Sequence, residues 1–243
     1  MSDYIKRIEI KCWRTGRVLF EHEAENNTMC RAIEDAVKAG ANLTGANLAG
    51  VNLAWADLPG AKLAGSNLTD AHLDDVNLAG ANLSGAYLVG TYLGGVNLAG
   101  ASLAWADLAG AQLDDVNLAG VNLTGVNLTS VNLTGVNLDG AYLVGTDGEK
   151  ITLVGSCPVL QIGPISREWG TLIAYLTDRG VYLSLGSFFG TREQFAARFA
   201  ARHHDNAHAE VYRAALALIE AHERLWMPAD EASEAARATG QEG

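Results

Sequence analysis

The sequence predicts a mainly β protein organised around a solenoid whose coils have four sides, and three observations carry that prediction. First, a leucine falls at every fifth position from Leu43 to Leu143, 21 in all, without a miss. A period of five matches neither the 3.6 of a helix nor the 2 of a flat strand, whereas a coil made of repeated short sides accommodates it. Second, the residue two before each leucine is small or β-branched, as in Ala41, Ala46, Val51, Ala56, Ala61, Ser66, Ala71 and Val76. Third, Val76-Asn77-Leu78-Ala79-Gly80 recurs as Val96 to Gly100 and Val116 to Gly120, a step of 20 residues or four pentads. Asp74-Asp75 recurs at Asp114-Asp115, a step of 40, which is two such coils.

The units Ala-Asn-Leu-Thr-Gly, Ala-Asn-Leu-Ala-Gly and Ala-Asp-Leu-Ala-Gly resemble the A(D/N)LXX unit of the pentapeptide repeat family. The resemblance covers residues 41–146, a little under half of the chain. It implies a right-handed quadrilateral β-helix in which the central leucine and the residue two before it face inward. The Asn or Asp and the two residues after the leucine then face out. Five coils at the usual strand spacing of about 4.8 Å make a rod roughly 25 Å long. Burial of each leucine contributes about 1.5 to 3 kcal/mol, and inward packing leaves no lumen for a pore or an internal ligand.

In order along the chain, residues 1–40 read as a cap. Ile5, Ile8 and Ile10 alternate loosely with Lys6, Arg7, Glu9 and Lys11, and Val18-Leu19-Phe20 follows the turn Arg14-Thr15-Gly16-Arg17, a β-hairpin pattern. Met29, Ala32, Ile33, Ala36 and Val37 then fall at helical spacing, with Thr28 as N-cap and Gly40 as C-cap. An open solenoid end exposes strand edges and core leucines, so hairpin and helix are expected to cover the first coil.

Within the repeat, taking every fourth leucine assigns the sides. Leu58, Leu78, Leu98, Leu118 and Leu138 share one, with Asn77, Asn97, Asn117 and Asn137 stacked outside. The side of Leu53, Leu73, Leu93, Leu113 and Leu133 departs most from the average unit. Trp55, His72, Asp74, Asp75, Tyr92, Gln112, Asp114 and Asp115 are expected to project from it, two acidic pairs lying roughly 10 Å apart. This is the candidate protein-binding side; the plainer reading is that its aspartates only solubilise the rod. Trp105 lies on another side, because Leu53 to Leu58 and Leu103 to Leu108 are 50 residues apart, two and a half coils.

Residues 147–243 read as a small α+β module. Ile151 to Val154, Val159 to Ile162, Thr171 to Leu176 and Val181 to Leu185 are short apolar runs between turn residues, predicting an antiparallel sheet. Thr191 and Gln194 form a capping box for a helix running to about Arg202. Asn206 caps a second helix whose apolar stripe holds Ala207, Val211, Ala214, Ala215, Leu218, Ile219, His222 and Leu225. After Pro228 an Ala-, Glu- and Gly-rich tail reads as disordered. The stretches Thr171 to Tyr175, Phe188 to Thr191 and Asp205 to Tyr212 resemble a module of phage and bacterial hypothetical proteins, which carries no assigned activity and suggests such an origin.

Charge and composition narrow the function. The chain carries a net charge of −11, and residues 41–146 hold 8 acidic residues against Lys62 alone. Such a rod repels nucleic acid and attracts basic protein surfaces. Cys12, Cys30 and Cys157 have neither disulfide nor metal spacing and read as reduced thiols. Met1 to Lys11 lacks an apolar signal-peptide core and no run reaches 18 apolar residues, so a cytoplasmic protein with no membrane span is expected. His203, His204, Asp205, Asn206 and His208 are read as polar residues joining helices; no metal or other cofactor is expected, and no nucleophile or phosphate-loop motif occurs. The reading is a non-enzymatic scaffold for a protein partner, self-associating as a homo-oligomer. The alternative rests on the resemblance, because some family members mimic duplex DNA and bind type II topoisomerases such as gyrase. Against it, 12 of the 21 pentads carry Asn before the leucine.

Overall fold

The computed structural model describes residues 5–133, 136–144, 148–155, 158–166, 170–185, 188–200 and 207–226. It divides into two compact units, Met1–Ala141 and Tyr142–Gly243, each taken by itself below.

In the first unit, parallel bridges join residues 20 apart in all four columns: Asn42 to Lys62, Asn47 to Asn67, Asn52 to His72 and Asp57 to Asn77 open the series. One turn of the solenoid therefore takes four pentads. The leucine N–H donates forward to the next coil (Leu48 N to Asn67 O, 2.7 Å), and the next coil donates back (Asn67 N to Ala46 O, 2.9 Å). A third bond closes each bend, as in Ala46 N to Leu43 O at 2.9 Å. These bonds give the inward-turned backbone its partners without any long strand.

The pentad's other positions follow from the same geometry. Leucines from Leu43 to Leu128 are buried, as are Ala46, Ala71, Val76, Val96 and Val116 two residues before their leucines. Asn precedes so many leucines because its Oδ1 accepts the N–H two residues on, as in Ala79 N to Asn77 Oδ1 at 3.2 Å and Ala99 N to Asn97 Oδ1 at 3.1 Å. Its Nδ2 then donates along the column, Asn97 to Asn77 and Asn117 to Asn97, both at 3.4 Å. Stacked asparagines thus serve the backbone and one another.

Ser66 occupies an inward position held by Ala46 and Ala86 in the adjacent coils. It is fully buried, and its hydroxyl has no hydrogen-bond partner. An unsatisfied buried hydroxyl costs about 1–3 kcal/mol, so Ser66→Ala is expected to stabilise the protein by about 1 kcal/mol or more in urea unfolding. A loss of stability would mean that the hydroxyl is satisfied in solution.

The hairpin pairs β1 (Ile5–Lys11) with β2 (Val18–Glu25) antiparallel, and α1 (Met29–Lys38) packs on it. Thr28 accepts from Arg31 N as the N-cap. Ala39 is the C-cap, and Gly40 follows with φ +69°. The bonds Gly40 N to Val37 O and Ala41 N to Ala36 O form a Schellman motif. The cap joins the first coil by backbone bonds, Asn47 N to Lys11 O at 2.7 Å and Trp13 N to Gly45 O at 2.9 Å. Trp13 Nε1 also donates to Gly65 O, and α1 supplies Glu34 Oε1 to Asp57 N. Cys12 and Cys30 are free thiols; hydrogen bonding from Thr15 holds the Cys12 thiol below its ordinary range.

In the second unit β3 (Tyr142–Val144) pairs antiparallel with β4 (Lys150–Thr152). The Ile151 to Val154 run is therefore mostly half of a two-stranded pair, not a strand of the larger sheet; the bridge Leu153 to Thr177 links it there, with Val154 N donating to Leu176 O and Thr152 N to Asp178 Oδ1. That sheet has the order β5 (Val159–Ser166), β6 (Gly170–Thr177), β7 (Gly180–Leu185) and β8 (Phe188–Thr191), all antiparallel. β8 is an addition to the sequence reading. Helix α2 (Arg192–Ala200) starts at the expected capping box, with Gln194 N to Thr191 Oγ1 at 3.3 Å and Thr191 N to Gln194 Oε1 at 2.9 Å.

Helix α3 (Ala207–Trp226) completes a core of Leu172, Leu176, Leu183, Phe188, Phe195, Phe199, Tyr212, Ala215 and Ile219. The single apolar stripe expected on α3 is in fact two. Tyr212, Ala215, Ile219 and His222 are buried, whereas Val211, Leu218 and Leu225 are exposed. The Asn206 cap, Cys157 and the tail after Pro228 lie outside the described residues.

Candidate functional site

The geometry of the candidate surface starts from the bend that ends each pentad. A leucine C=O accepts from the N–H three residues on, and the residue before that donor has positive φ while the one after leucine does not. This is a type II turn, which favours glycine at its third position. Glycine fills that position at most bends; Trp55, Asp70, Asp75, Trp105, Asp115 and Ser130 fill the others with φ from 55° to 62°. The left-handed conformation costs an L-residue roughly 1–2 kcal/mol, short polar side chains tolerating it best. A tryptophan there is a true outlier.

The side chains at these bends reach toward the following coil. The Asp70 carboxylate occupies the space a Cβ on Gly90 would need, and Asp75 does the same at Gly95. The Trp105 ring lies over Gly125. A non-glycine bend thus stands in front of a glycine bend 20 residues later. Trp55 differs, because Asp75 follows it, and there the indole Nε1–H donates to Asp75 Oδ2 at 3.1 Å.

The eight residues singled out from sequence fall into neighbouring columns. Trp55, Asp75 and Asp115 occupy one bend column. His72, Tyr92 and Gln112 form the adjacent flat column, linked by bridges His72 to Tyr92 and Tyr92 to Gln112. Asp74 and Asp114 lie between them in sequence and in the fold. All are exposed except Asp74, which is half-buried. The His72 and Tyr92 rings stack with centroids 4.5 Å apart and planes 1° apart. Gly94 and Gly95, consecutive glycines beside this stack, leave room for the Asp74 and Asp75 carboxylates. Trp55 remains 77% exposed, so its hydrogen bond orients the ring without covering it.

Trp105 is 65% exposed and sits in a different bend column, with Gly65, Gly85 and Gly125, as its sequence spacing implies. A second aromatic group was not anticipated. Trp13 packs edge-on against Tyr87 at 5.3 Å, with Arg14 over the Trp13 ring and Arg14 Nη2 donating to the Tyr87 hydroxyl. It fastens the cap to the rod. The glycine period was the available signal for the strained bends, since a tryptophan at a fifth position stands where glycine is the rule.

His203 and His204 lie outside the described residues, and His208 belongs to α3 with its side chain outside them. Among the described residues no cluster of His, Cys, Asp and Glu converges as a metal site. No helix among them is long and apolar enough to cross a membrane.

The family description Pentapeptide repeats, in 8 copies, matches residues 39–75, 77–113 and 111–147. A pentapeptide repeat protein of known structure from the cyanobacterium Cyanothece 51142 is 33% identical, over 37% of this chain and 82% of that one, with a TM-score of 0.27. The chain belongs to the pentapeptide repeat family. A second pentapeptide repeat protein, from Nostoc PCC 7120, is 28% identical over 49% of this chain and 82% of its own, with a TM-score of 0.30. QnrB1, a plasmid-mediated fluoroquinolone resistance protein, is 16% identical over 39% of this chain and 59% of its own, with a TM-score of 0.29. No curated protein matches the sequence. Within the repeat, Trp55 and Trp105 stand at bends that glycine fills at most other places in this chain.

Proposed function

We propose that this pentapeptide repeat protein is a non-enzymatic, cytoplasmic scaffold whose right-handed quadrilateral β-helix presents the columns of Trp55, His72, Asp74, Asp75, Tyr92, Gln112, Asp114 and Asp115 to a protein partner. The observation that carries this reading is Trp55: a large aromatic side chain 77% exposed, at φ 62°, where glycine would be free of strain. Strain kept at an exposed position needs a benefit outside the fold, and aromatic anchors dominate protein-protein binding energy. The surrounding carboxylates favour a basic partner and disfavour nucleic acid.

Trp55→Gly is expected to raise stability by about 1 kcal/mol, by removing left-handed strain. The same change is expected to weaken partner capture by the immobilised protein at least tenfold, the usual effect of losing an aromatic hot spot. Undiminished capture by Trp55→Gly would place the binding side elsewhere.

The second reading is an acidic mimic of DNA that binds a type II topoisomerase and modulates or protects it. Asp70, Asp75 and Asp115 favour it, since each places an exposed or half-exposed carboxylate at a bend where glycine is unstrained. A gyrase supercoiling assay decides: micromolar protein that neither inhibits supercoiling nor protects against a quinolone removes it.

A further inference from the structure

We propose that the chain associates with a second copy of itself through the outer face of α3, the two helices running antiparallel. This stands independently of the partner-binding reading of the rod. Beside the stripe that α3 buries in its own unit, Val211, Ala214, Leu218, Ala221 and Leu225 recur at alternating steps of three and four. That is the seam of a two-helix coiled coil. Val211 is 42% exposed, Leu218 50% and Leu225 77%, and Ala214 is exposed as well. The face covers about four turns of a 20-residue helix, and among the described residues no other element of its unit covers Val211, Leu218 or Leu225.

Three properties of this face point to a second copy and to its direction. Large and small residues alternate along the seam. An antiparallel pairing sets Val211 against Ala221 and Ala214 against Leu218, each layer matching a large side chain with alanine. A parallel pairing would stack leucine on leucine and alanine on alanine. Charge agrees: Glu210 and Arg224 flank the seam on one edge, and the antiparallel register places each Glu210 opposite the other copy's Arg224, twice per dimer. In a parallel pair Glu210 would face Ala215 instead. Glu220 and Glu223 both pair with Arg192 within the unit, and Arg213, two residues past Val211, lies off the seam, while Glu210 and Arg224 have no ion-pair partner among the described residues. The chain's own end is a poor occupant, because residues 227–243 contain no Leu, Ile, Val or Phe.

The test is sedimentation equilibrium of the full chain at rising concentration. The wild type is expected to form a dimer with a micromolar dissociation constant, as suits a contact at the small end of interface sizes. Leu218→Glu is expected to weaken dimerisation by about 100-fold, placing a charge at the seam's centre while leaving the buried stripe intact. Glu210→Arg is expected to weaken it about tenfold, and adding Arg224→Glu to restore it to within about threefold. A wild type that stays monomeric at hundreds of micromolar overturns the proposal, as does a dimer that Leu218→Glu leaves unchanged. Failure of the double charge reversal to restore association overturns the antiparallel pairing even if Leu218→Glu acts through misfolding. Trp55→Gly should leave the dimer as it is, which separates this result from that of the rod surface.

Discussion

Gly125→Ala is expected to destabilise the protein by about 2–5 kcal/mol, the sum of left-handed strain of roughly 1–2 kcal/mol and overpacking of about 1–3 kcal/mol. Gly120→Ala supplies the comparison. Both glycines are bend residues, with φ +63° and +66°. A Cβ on Gly120 has only Gly100 near it, at 3.9 Å, so that substitution should show the strain alone. A Cβ on Gly125 would collide with the Trp105 ring. The excess of Gly125→Ala over Gly120→Ala is therefore a measure of the Trp105 contact. It should vanish when Trp105→Gly is combined with Gly125→Ala, because residues in contact couple by about 0.5–3 kcal/mol and separated ones do not. Equal losses at the two glycines, read from urea midpoints at unchanged slope, would mean that the indole does not rest on Gly125.

That comparison bears on how much of the fold was legible in sequence. The leucine ladder and its 20-residue sub-period place every parallel bridge from Asn42–Lys62 to Asn117–Asn137, since one coil's neighbours are fixed by counting. The ends of α1 were legible at Thr28, the N-cap, and to within one residue at Gly40, which follows the C-cap Ala39, because helix ends leave backbone groups that only certain residues satisfy. Pairing between distant segments was not. Phe188–Thr191 adds the fourth strand of its sheet yet looks locally like a lead-in to the capping box at Thr191. Lys150–Thr152 pairs back onto Tyr142–Val144, a choice that no period announces.

On α3 the limit was resolution of angle. Ala215, Ile219 and His222 and the set Val211, Leu218 and Leu225 lie only about a fifth of a turn apart, so a count of apolar residues at helical spacing merges them. Exposure separates what spacing cannot. At the candidate surface, the outward direction of Trp55, Tyr92 and the aspartates follows from their place in the pentad. The strain at Trp55 does not, since it depends on knowing that the fifth position bends with positive φ. The stacking of His72 on Tyr92 follows once the 20-residue step is applied to the ladder.

The cap offers the other large effect. Asn27→Ala is expected to cost about 3 kcal/mol, because three polar groups lose their partner at once and each unpaired group costs about 1–3 kcal/mol. Asn27 is 3% exposed. Its Nδ2 donates to Lys6 O at 3.0 Å and to His22 O at 2.8 Å, and its Oδ1 accepts from His22 Nδ1 at 2.9 Å. The imidazole's other nitrogen lies 2.9 Å from Asp35 Oδ2, which ties β2 to α1. One amide thus holds both strands of the hairpin, and through His22 it orients the helix that follows Thr28. Asn27→Asp is the sharper variant. It keeps volume and acceptor but sets a carboxylate against two backbone carbonyls, so its loss should match or exceed that of alanine. Because the cap supplies the first coil with Lys11 O and Trp13 N as backbone partners, its loosening should fray the solenoid from that end. Far-UV circular dichroism in urea, with limited proteolysis at the hairpin, reads both steps. A change within about 0.5 kcal/mol for Asn27→Ala, the scatter of ordinary surface substitutions, would show that the packing of Ile8, Ile10 and Ile33 holds the cap without this network.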